Sequence, residues 1–355
     1  MAETKEKLLS SINNGDINGE LTQNDDITMK SDVKPLHNVI HNKSFMILQP
    51  FVLLLQVGYY MKATFMLGYG SAWFGGCKDI KSNNDCNKEF NYDLYILYSN
   101  LCLSIAGFVA LLSSGIIGQL SDKYGRKRFL IFQAITMLIT VIGVILWNNM
   151  YFYLMLICIV SLNGSTVVTT PVINAYVADV LNEKNRIIGY GILYGNVGIS
   201  LLVGVIISFI VSKIFNDRAC FFVMGILFII AIIYCKVFIH ETVNGKTIRN
   251  NNTGNHSLNP FKILTHINDN KVLLWIAMIQ LLVSFAETGV LDISTGVFGD
   301  AFNENSNDGA NEISLMFMLG FGFGLIIAPS IILPILKKYF NDYSLLVITI
   351  FILGV

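Results

Sequence analysis

Long apolar runs with almost no charged residues restrict the fold of this chain more than any other feature of its sequence. The run 128–147, RFLIFQAITMLITVIGVILW, contains no charge after its opening arginine. A helix needs about 20 such residues to cross roughly 30 Å of hydrocarbon. Only helices and closed barrels satisfy their backbone polar groups there, and this run lacks the period-two alternation of a barrel strand. The sequence therefore predicts membrane-spanning helices and an all-α membrane protein.

The overall composition agrees with a membrane protein. Hydrophobic residues make up 54% of the chain and charged residues only 14%, whereas a soluble domain normally carries about 25% charged residues. The formal net charge is zero, which argues against a globally basic, nucleic-acid-binding protein.

Eight complete spans are predicted, divided by polar segments. Residues 1–43 are rich in Asn, Asp and Lys and are predicted to form a disordered cytosolic tail. A six-helix N-terminal bundle over 44–239 follows, then a polar cytosolic linker over 240–270, and then a partial C-terminal bundle over 271–355. The predicted spans are 44–67, 94–118, 128–147, 151–180, 187–214, 219–239, 271–297 and 313–336.

A ninth apolar run begins near Ser344 and has only 12 residues before Val355. That length is too short to cross a bilayer as a helix. The second bundle would therefore hold two full spans and part of a third, and we expect the sequence to be a fragment or a truncated product.

The placement of Lys and Arg predicts the orientation of the chain. Most of the 24 Lys and Arg residues lie in the tail and in the connections on the same side of the membrane as the tail. Cytosolic connections carry an excess of these residues, so the N-terminus is predicted to be cytosolic. The sequence leaves open whether the membrane is the plasma membrane or an endomembrane.

The connection between the second and third spans, GQLSDKYGRKR at 118–128, has a restricted pattern. A small residue closes one helix, an acid follows, a glycine permits a tight turn, and three cations start the next helix. The simpler alternative is an ordinary basic loop on the cytosolic side. The restricted positions are Gly118, Asp122, Lys123, Gly125, Arg126 and Lys127.

This spacing resembles the signature loop of the major facilitator superfamily, G-x-L-x-D-[RK]-x-G-R-[RK]. A second stretch, AYVADVLNEKNRIIGYG at 175–191, is similar to the junction of the fourth and fifth spans in tetracycline-efflux-like and hippocampus-abundant-transcript-like carriers. Asp179 and Arg186 occupy its charged positions. The resemblance covers about 45–355 and implies the major facilitator fold, with a six-helix N-terminal bundle and an incomplete second bundle.

The resemblance also implies a conformational gate on the cytosolic side. In such carriers the acids and bases of these two loops pair across that face and hold the two halves closed while the solute site opens outward. Asp122, Arg126 and Asp179 would form the pairs, and each partly solvated contact would contribute about 1 kcal/mol. The predicted gate residues are Gly118, Asp122, Gly125, Arg126, Lys127, Asp179 and Arg186.

Polar residues inside the apolar spans are candidates for binding solute or protons, because burying them in a membrane is costly. Glu287 lies in the middle of the seventh span, Gln280 shares its helical face, and Asp292 lies nearer the outer end. The alternative for Glu287 and Asp292 is an interfacial acid, or one paired inside the bundle.

Two other spans carry polar stripes, which either line a cavity or hydrogen-bond neighbouring helices. The candidates in the fourth span are Asn163, Thr170 and Asn174, and those in the first span are Gln56 and Tyr60.

Three further features have simpler interpretations. Gly191 and Gly198 belong to a predicted small-residue face for close helix packing, and Lys62 is expected to extend to the outer surface. Cys77 and Cys86 share one polar loop, and their spacing leaves a disulfide open. No CxxC or histidine cluster is present, so neither a metal nor a cofactor is expected.

The sequence therefore predicts a carrier that moves a small organic solute by alternating access. It contains no catalytic motif, so an enzyme is not expected. Proton-driven antiporters have an Arg in the fourth span and a Gly-Pro element in the fifth, which this chain lacks, and this favours uniport or proton symport. The expected partners are a small solute, with or without protons, and the bilayer, and the chain is expected to be monomeric. The alternative is a non-transporting receptor or adaptor with a carrier fold.

Overall fold

The computed structural model describes residue 39, then 41–76, 91–147, 149–163, 171–242 and 307–327, and scattered positions between 271 and 344. All regular structure in these segments is helical. The helices are α1 (Lys43–Phe74), α2 (Tyr92–Tyr124), α3 (Arg126–Trp147), α4 (Met150–Ser161), α5 (Pro171–Val180), α6 (Glu183–Ile214), α7 (Asp217–Phe238) and α8 (Asn307–Ile327).

Helices α1, α2, α3, α6 and α7 contain stretches that are long and apolar enough to cross a membrane. Because several of these helices lie in one chain, the protein is an integral multi-pass membrane protein. The predicted all-α membrane fold is confirmed. The stretches are Lys43–Lys62, Asp93–Tyr124, Arg126–Trp147, Ile188–Ile214 and Asp217–Phe238.

Asparagine side chains start several of these helices. The side chain of Asn42 accepts a hydrogen bond from the Phe45 N–H at 3.2 Å, and Asn91 and Asn216 cap α2 and α7 in the same way. A side-chain oxygen at this position satisfies one of the backbone donors that the first turn of a helix leaves unpaired. The boundaries of these helices are therefore encoded locally.

Helix α1 packs most extensively against α6 and α7, and it also contacts α2, α4 and α5. At Gly204 of α6, an added Cβ would lie 2.7 Å from the carbonyl oxygen of Val57, so glycine permits backbone contact between α6 and α1. On the other side of α1, Phe65 and Phe221 meet edge to face with ring centroids 5.0 Å apart. Such packing of small and aromatic residues is what holds helices together where lipid removes the hydrophobic driving force.

Helix α8 lies antiparallel to α6. Ile326 contacts Gly198, where an added Cβ would lie 2.7 Å from the Ile326 Cγ1, and Gly322 contacts Leu201. The close helix packing predicted for the glycine face of α6 is thus seen at Gly198. At Gly191 an added Cβ would meet nothing within 4 Å among the described residues, so the close packing predicted there is not seen in that part of the chain.

The connection between α2 and α3 is shorter than the sequence predicted. Helix α2 continues six residues beyond Gly118 and ends at Tyr124, so Gly125 alone separates it from α3. The expectation that Gly118 closes the helix was wrong, because Ser121 and Asp122 continue the helical backbone. The Ser121 hydroxyl donates to the Gly118 carbonyl at 2.8 Å, within the helix.

Several predictions concern residues outside the described part of the chain. They are the tail over 1–38, the Cys77 and Cys86 pair, most of the linker and most of the seventh span. The residues next to α1 are packed, since Val39 is fully buried and the Asn42 amide donates to the Val180 carbonyl at 3.0 Å. The division into two bundles remains a prediction.

Candidate functional site

The turn between α2 and α3 places a group of charged residues at one end of the bundle. Gly125 has a φ of +101°, a left-handed conformation that residues with a Cβ adopt at a cost. Its N–H donates to the Ser121 carbonyl at 3.0 Å. An added Cβ would also collide with the carboxylate of Glu241, whose Cδ would lie 2.6 Å away. The positive φ favours glycine at this position, and a larger residue would in addition displace the Glu241 carboxylate.

Arg126 is the centre of this group. Its side chain is only 9% exposed and forms an ion pair with Asp122, one turn earlier. Its Nε lies 3.0 Å from Asp179 Oδ2, and its Nη1 donates to the Ser121 hydroxyl at 2.7 Å. The planar guanidinium therefore joins the ends of α2, α3 and α5. We call Ser121, Asp122, Arg126, Asp179 and Glu241 the Arg126 cluster.

Glu241 completes the cluster and was not identified from the sequence. It follows the end of α7, and its two carboxylate oxygens accept the backbone N–H groups of Arg126 at 2.7 Å and Lys127 at 3.2 Å. These two N–H groups belong to the first turn of α3 and have no acceptor within the helix. The helix dipole also favours a negative charge at this end. Glu241 belongs to no sequence motif, because a single acid at the end of an apolar span is common. Its contact with α3 could therefore be identified only from the structure.

The short segment after α7 is fastened to the cluster by further hydrogen bonds. The hydroxyl of Thr242 donates to Asp179 Oδ2 at 3.3 Å, and the hydroxyl of Tyr176 donates to the His240 carbonyl at 3.3 Å. The ammonium of Lys127 donates to the Lys236 carbonyl at 2.8 Å. The beginning of the predicted linker is thus held against α3 and α5.

The structure brings together the three residues that the family resemblance implied would pair. Arg126 forms ion pairs with Asp122 and Asp179, and the described contacts of the Arg126 cluster all lie within 121–242. Arg126 is more buried than the solvated pairs expected from the sequence. Removing the partner of a well-buried charge costs up to about 3–5 kcal/mol. The 63% exposed Asp122 should contribute much less, in the range of a surface pair.

Arg186 lies outside the cluster. Its Nε donates to the carbonyl oxygens of Ala178 at 3.2 Å and Leu181 at 3.3 Å, and its Nη1 is 4.0 Å from Glu183. These contacts cap the C-terminus of α5 and join it to α6.

The predicted solute residues of the first and fourth spans lie in different surroundings. Gln56 is fully buried, and both polar atoms of its amide lack a hydrogen-bond partner among the described residues. Asn163 is also buried and donates to the Thr136 hydroxyl at 2.5 Å, while its carbonyl oxygen has no described partner. Asn174 is half-buried, and its backbone carbonyl accepts from the Tyr190 hydroxyl at 3.1 Å.

Tyr60 is half-buried on α1, with its ring edge to face against Tyr59 at 5.3 Å. The remaining predicted solute or proton residues lie outside the described part of the chain. They are Thr170, Gln280, Glu287 and Asp292.

A small cleft of about 30 Å³, partly open to the outside, lies between α1, α3, α4 and α7. Tyr59, Lys62 and Thr140 supply its polar atoms, and the remaining lining is apolar. The Lys62 ammonium lies 3.9 Å from the centre of the Tyr59 ring. The expectation that this side chain extends to the outer surface stays a prediction, since Lys62 is half-exposed at a partly open cleft.

Among the described residues, no group of His, Cys, Asp and Glu could hold a metal ion. The chemistry of the Arg126 cluster is that of ion pairs and helix capping, which can hold a conformation and release it.

Comparison with known proteins finds several relatives, and three of them represent the range. Hippocampus abundant transcript 1 protein of Homo sapiens is 26% identical over 198 residues, which are 54% of this chain and 39% of that protein. Hippocampus abundant transcript-like protein 1 of Homo sapiens is 30% identical over 151 residues, 42% of this chain and 29% of that protein. The multi-drug resistance efflux pump PmrA of Streptococcus pneumoniae is 31% identical over 144 residues, 41% of this chain and 35% of the pump.

The chain thus spans less than two fifths of the length of these relatives. The family model described as Major Facilitator Superfamily matches residues 84–355, which is most of the chain. The family predicted from the pattern at 118–128 is confirmed: the chain belongs to the Major Facilitator Superfamily.

Proposed function

We propose that the protein moves a small organic solute across a membrane by alternating access, and that the Arg126 cluster stabilises the state in which its own end is closed. The observation that carries this proposal is the convergence of α2, α3, α5 and the segment after α7 on the guanidinium of Arg126 and the carboxylate of Glu241. Family membership supports the same class of function.

The contacts of the cluster have the strength that a switch requires. Apart from the well-buried contact of Arg126 with Asp179, the partly exposed ion pair and the helix cap contribute about 0.5–2 kcal/mol each. A few such contacts can invert the populations of two conformations whose free energies differ by a few kcal/mol. Breaking them would cost little enough for solute binding to drive the change.

Glu241 connects the Arg126 cluster to the linker that leads to the second half of the carrier. It lies at the start of the predicted linker and is held by the first turn of α3 through two N–H donors. Release of this carboxylate would free the start of the linker that leads to the predicted second bundle. In this proposal the cluster faces the cytosol, in agreement with the excess of Lys and Arg on that side.

The candidate solute site lies away from the cluster. Gln56 and Asn163 place amide oxygens without described partners inside the bundle, and such buried polar atoms are costly unless something pairs with them. Glu287 is the proposed proton-handling acid. Uniport and proton symport both fit this arrangement.

Counterflow in proteoliposomes tests the proposal. The full protein would be reconstituted and assayed with labelled glucose, glutamine, lactate and tetraphenylphosphonium, which represent neutral, zwitterionic, anionic and cationic organic solutes. We expect saturable counterflow of one class, a fall of tenfold or more in Glu287→Gln, and no change in Glu183→Gln, since Glu183 is 89% exposed on α6. Saturable binding without flux would contradict transport and favour a receptor or adaptor with a carrier fold.

A further inference from the structure

Helix α3 presents one stripe of exposed apolar side chains away from the bundle. Phe132, Ile135, Ile139 and Ile142 recur every three or four residues, and each is about 40% exposed. Such spacing places them on a single helical face. The opposite face of α3, which includes Leu130 and other fully buried residues, packs inside the protein.

Helix α7 presents a matching stripe. Ile226, Ile229, Ile233 and Val237 are each about half exposed and share one face by the same spacing. Because α3 and α7 pack against each other, their stripes flank one seam on the outside of the bundle. In a membrane protein such a surface lies against acyl chains.

Both stripes end in an exposed cation at the same end of the bundle. Arg128 precedes Phe132 by four residues in the first turn of α3, and Lys236 follows Ile233 by three residues in the last turn of α7. The hydrogen bond from the Lys127 ammonium to the Lys236 carbonyl, 2.8 Å long, shows that the two helix ends meet. The two cations therefore lie on adjoining helix ends, at the end of the apolar seam.

The acids near this position are engaged elsewhere. Glu241 binds the backbone N–H groups of α3, and Asp122 and Asp179 pair with Arg126 on the inner side. Neither Arg128 nor Lys236 forms an ion pair with a described residue. The seam therefore carries a local positive charge.

We propose that an anionic phospholipid binds this seam, with its headgroup phosphate between Arg128 and Lys236 and its acyl chains along the two stripes. The apolar stripes fit two chains of a bilayer lipid, and the paired cations select a headgroup with net negative charge. This site is separate from the solute site and does not depend on transport activity. Each basic residue near a membrane surface strengthens the binding of anionic lipid about fivefold.

Native mass spectrometry of the full protein in detergent tests this proposal. The protein would be titrated with phosphatidylglycerol and with phosphatidylcholine of the same acyl chains. We expect tighter binding of phosphatidylglycerol by the wild type and a loss of about 25-fold in Arg128→Gln/Lys236→Gln, since two cations are removed. The control Lys43→Gln/Lys213→Gln removes two exposed lysines at other positions and should bind as the wild type does.

A charge-preserving variant and a competition separate the remaining outcomes. Arg128→Lys/Lys236→Arg should retain the preference for phosphatidylglycerol, and the melting temperature of each variant without lipid shows whether it folds. Equal binding by the wild type and the double Gln variant would overturn the proposal, as would equal affinity for the two lipids. Displacement of the lipid by excess glycerol phosphate would also overturn it, because it would indicate a site for a soluble anion.

Discussion

Among single residues, the end of the bundle that carries the Arg126 cluster depends most on Gly125 and Arg126. Gly125 supplies a backbone conformation that other residues adopt only at a cost, and this conformation brings the first turn of α3 against Glu241. Arg126 then connects α2 and α5 through its guanidinium. The sequence pattern identified both residues, because each position is chemically restricted.

We expect Gly125→Ala to destabilise the protein, because the left-handed conformation alone costs an L-residue about 1–2 kcal/mol and the new methyl group would displace Glu241. Thermal unfolding in detergent measures the effect. Gly118→Ala is the matched control, since a Cβ there meets nothing within 4 Å and alanine favours a helix. Equal melting temperatures for the two variants would show that the turn does not require glycine.

We expect Asp179→Asn to weaken the cluster by about 1–3 kcal/mol, because the buried guanidinium of Arg126 loses a charged acceptor. Thr242 loses the charge on its acceptor as well. Melting temperature in detergent is again the measurement. Glu183→Gln is the control and should change the melting temperature little, since the exposed Glu183 lies 4.0 Å from Arg186. A fall in melting temperature as large as that in Asp179→Asn would contradict the role of Asp179 as the partner of Arg126.

At the scale of helices, the apolar runs predicted which segments are helical but not where the helices end. Helix α2 has 33 residues, about 50 Å at the helical rise, which is longer than the roughly 30 Å hydrocarbon core. The apolar run marks only the part of the helix that crosses the hydrocarbon core. The helix itself continues beyond that run through the polar residues Ser121 and Asp122. The extra turn brings Asp122 next to Arg126.

We expect Gly198→Ala to weaken the contact between α6 and α8 by about 1–3 kcal/mol through overpacking. The new Cβ would lie 2.7 Å from Ile326 Cγ1 and 3.1 Å from the Ile326 backbone nitrogen. Gly191→Ala has open space around it and should raise stability slightly through helix propensity. Melting temperatures that move in the same direction for both variants would contradict the close approach of α8 to α6.

For the whole molecule, the sequence predicted the family and the triad of Asp122, Arg126 and Asp179, because a motif with fixed spacing specifies them. It could not predict Glu241, which lies 115 residues from its partner Arg126 and belongs to no local pattern. The burial of Gln56 and the cleft beside Lys62 were also not predictable, because both depend on how α1 packs against the other helices. Local spacing identifies residue types, and packing determines their partners.

The most direct test of the account is the labelling of single cysteines with a membrane-impermeant maleimide in intact cells, in a background without native cysteines. Lys123→Cys lies beside the Arg126 cluster, and Lys213→Cys lies at the opposite end of α6 from Glu183; both lysines are exposed. We predict that Lys123→Cys is protected in intact cells and becomes labelled when the plasma membrane alone is permeabilised. Lys213→Cys should be labelled in intact cells if the protein lies in the plasma membrane, and only after all membranes are permeabilised if it lies in an endomembrane. Labelling of Lys123→Cys in intact cells, with or without Lys213→Cys, would contradict a bilayer-spanning bundle whose Arg126 cluster faces the cytosol.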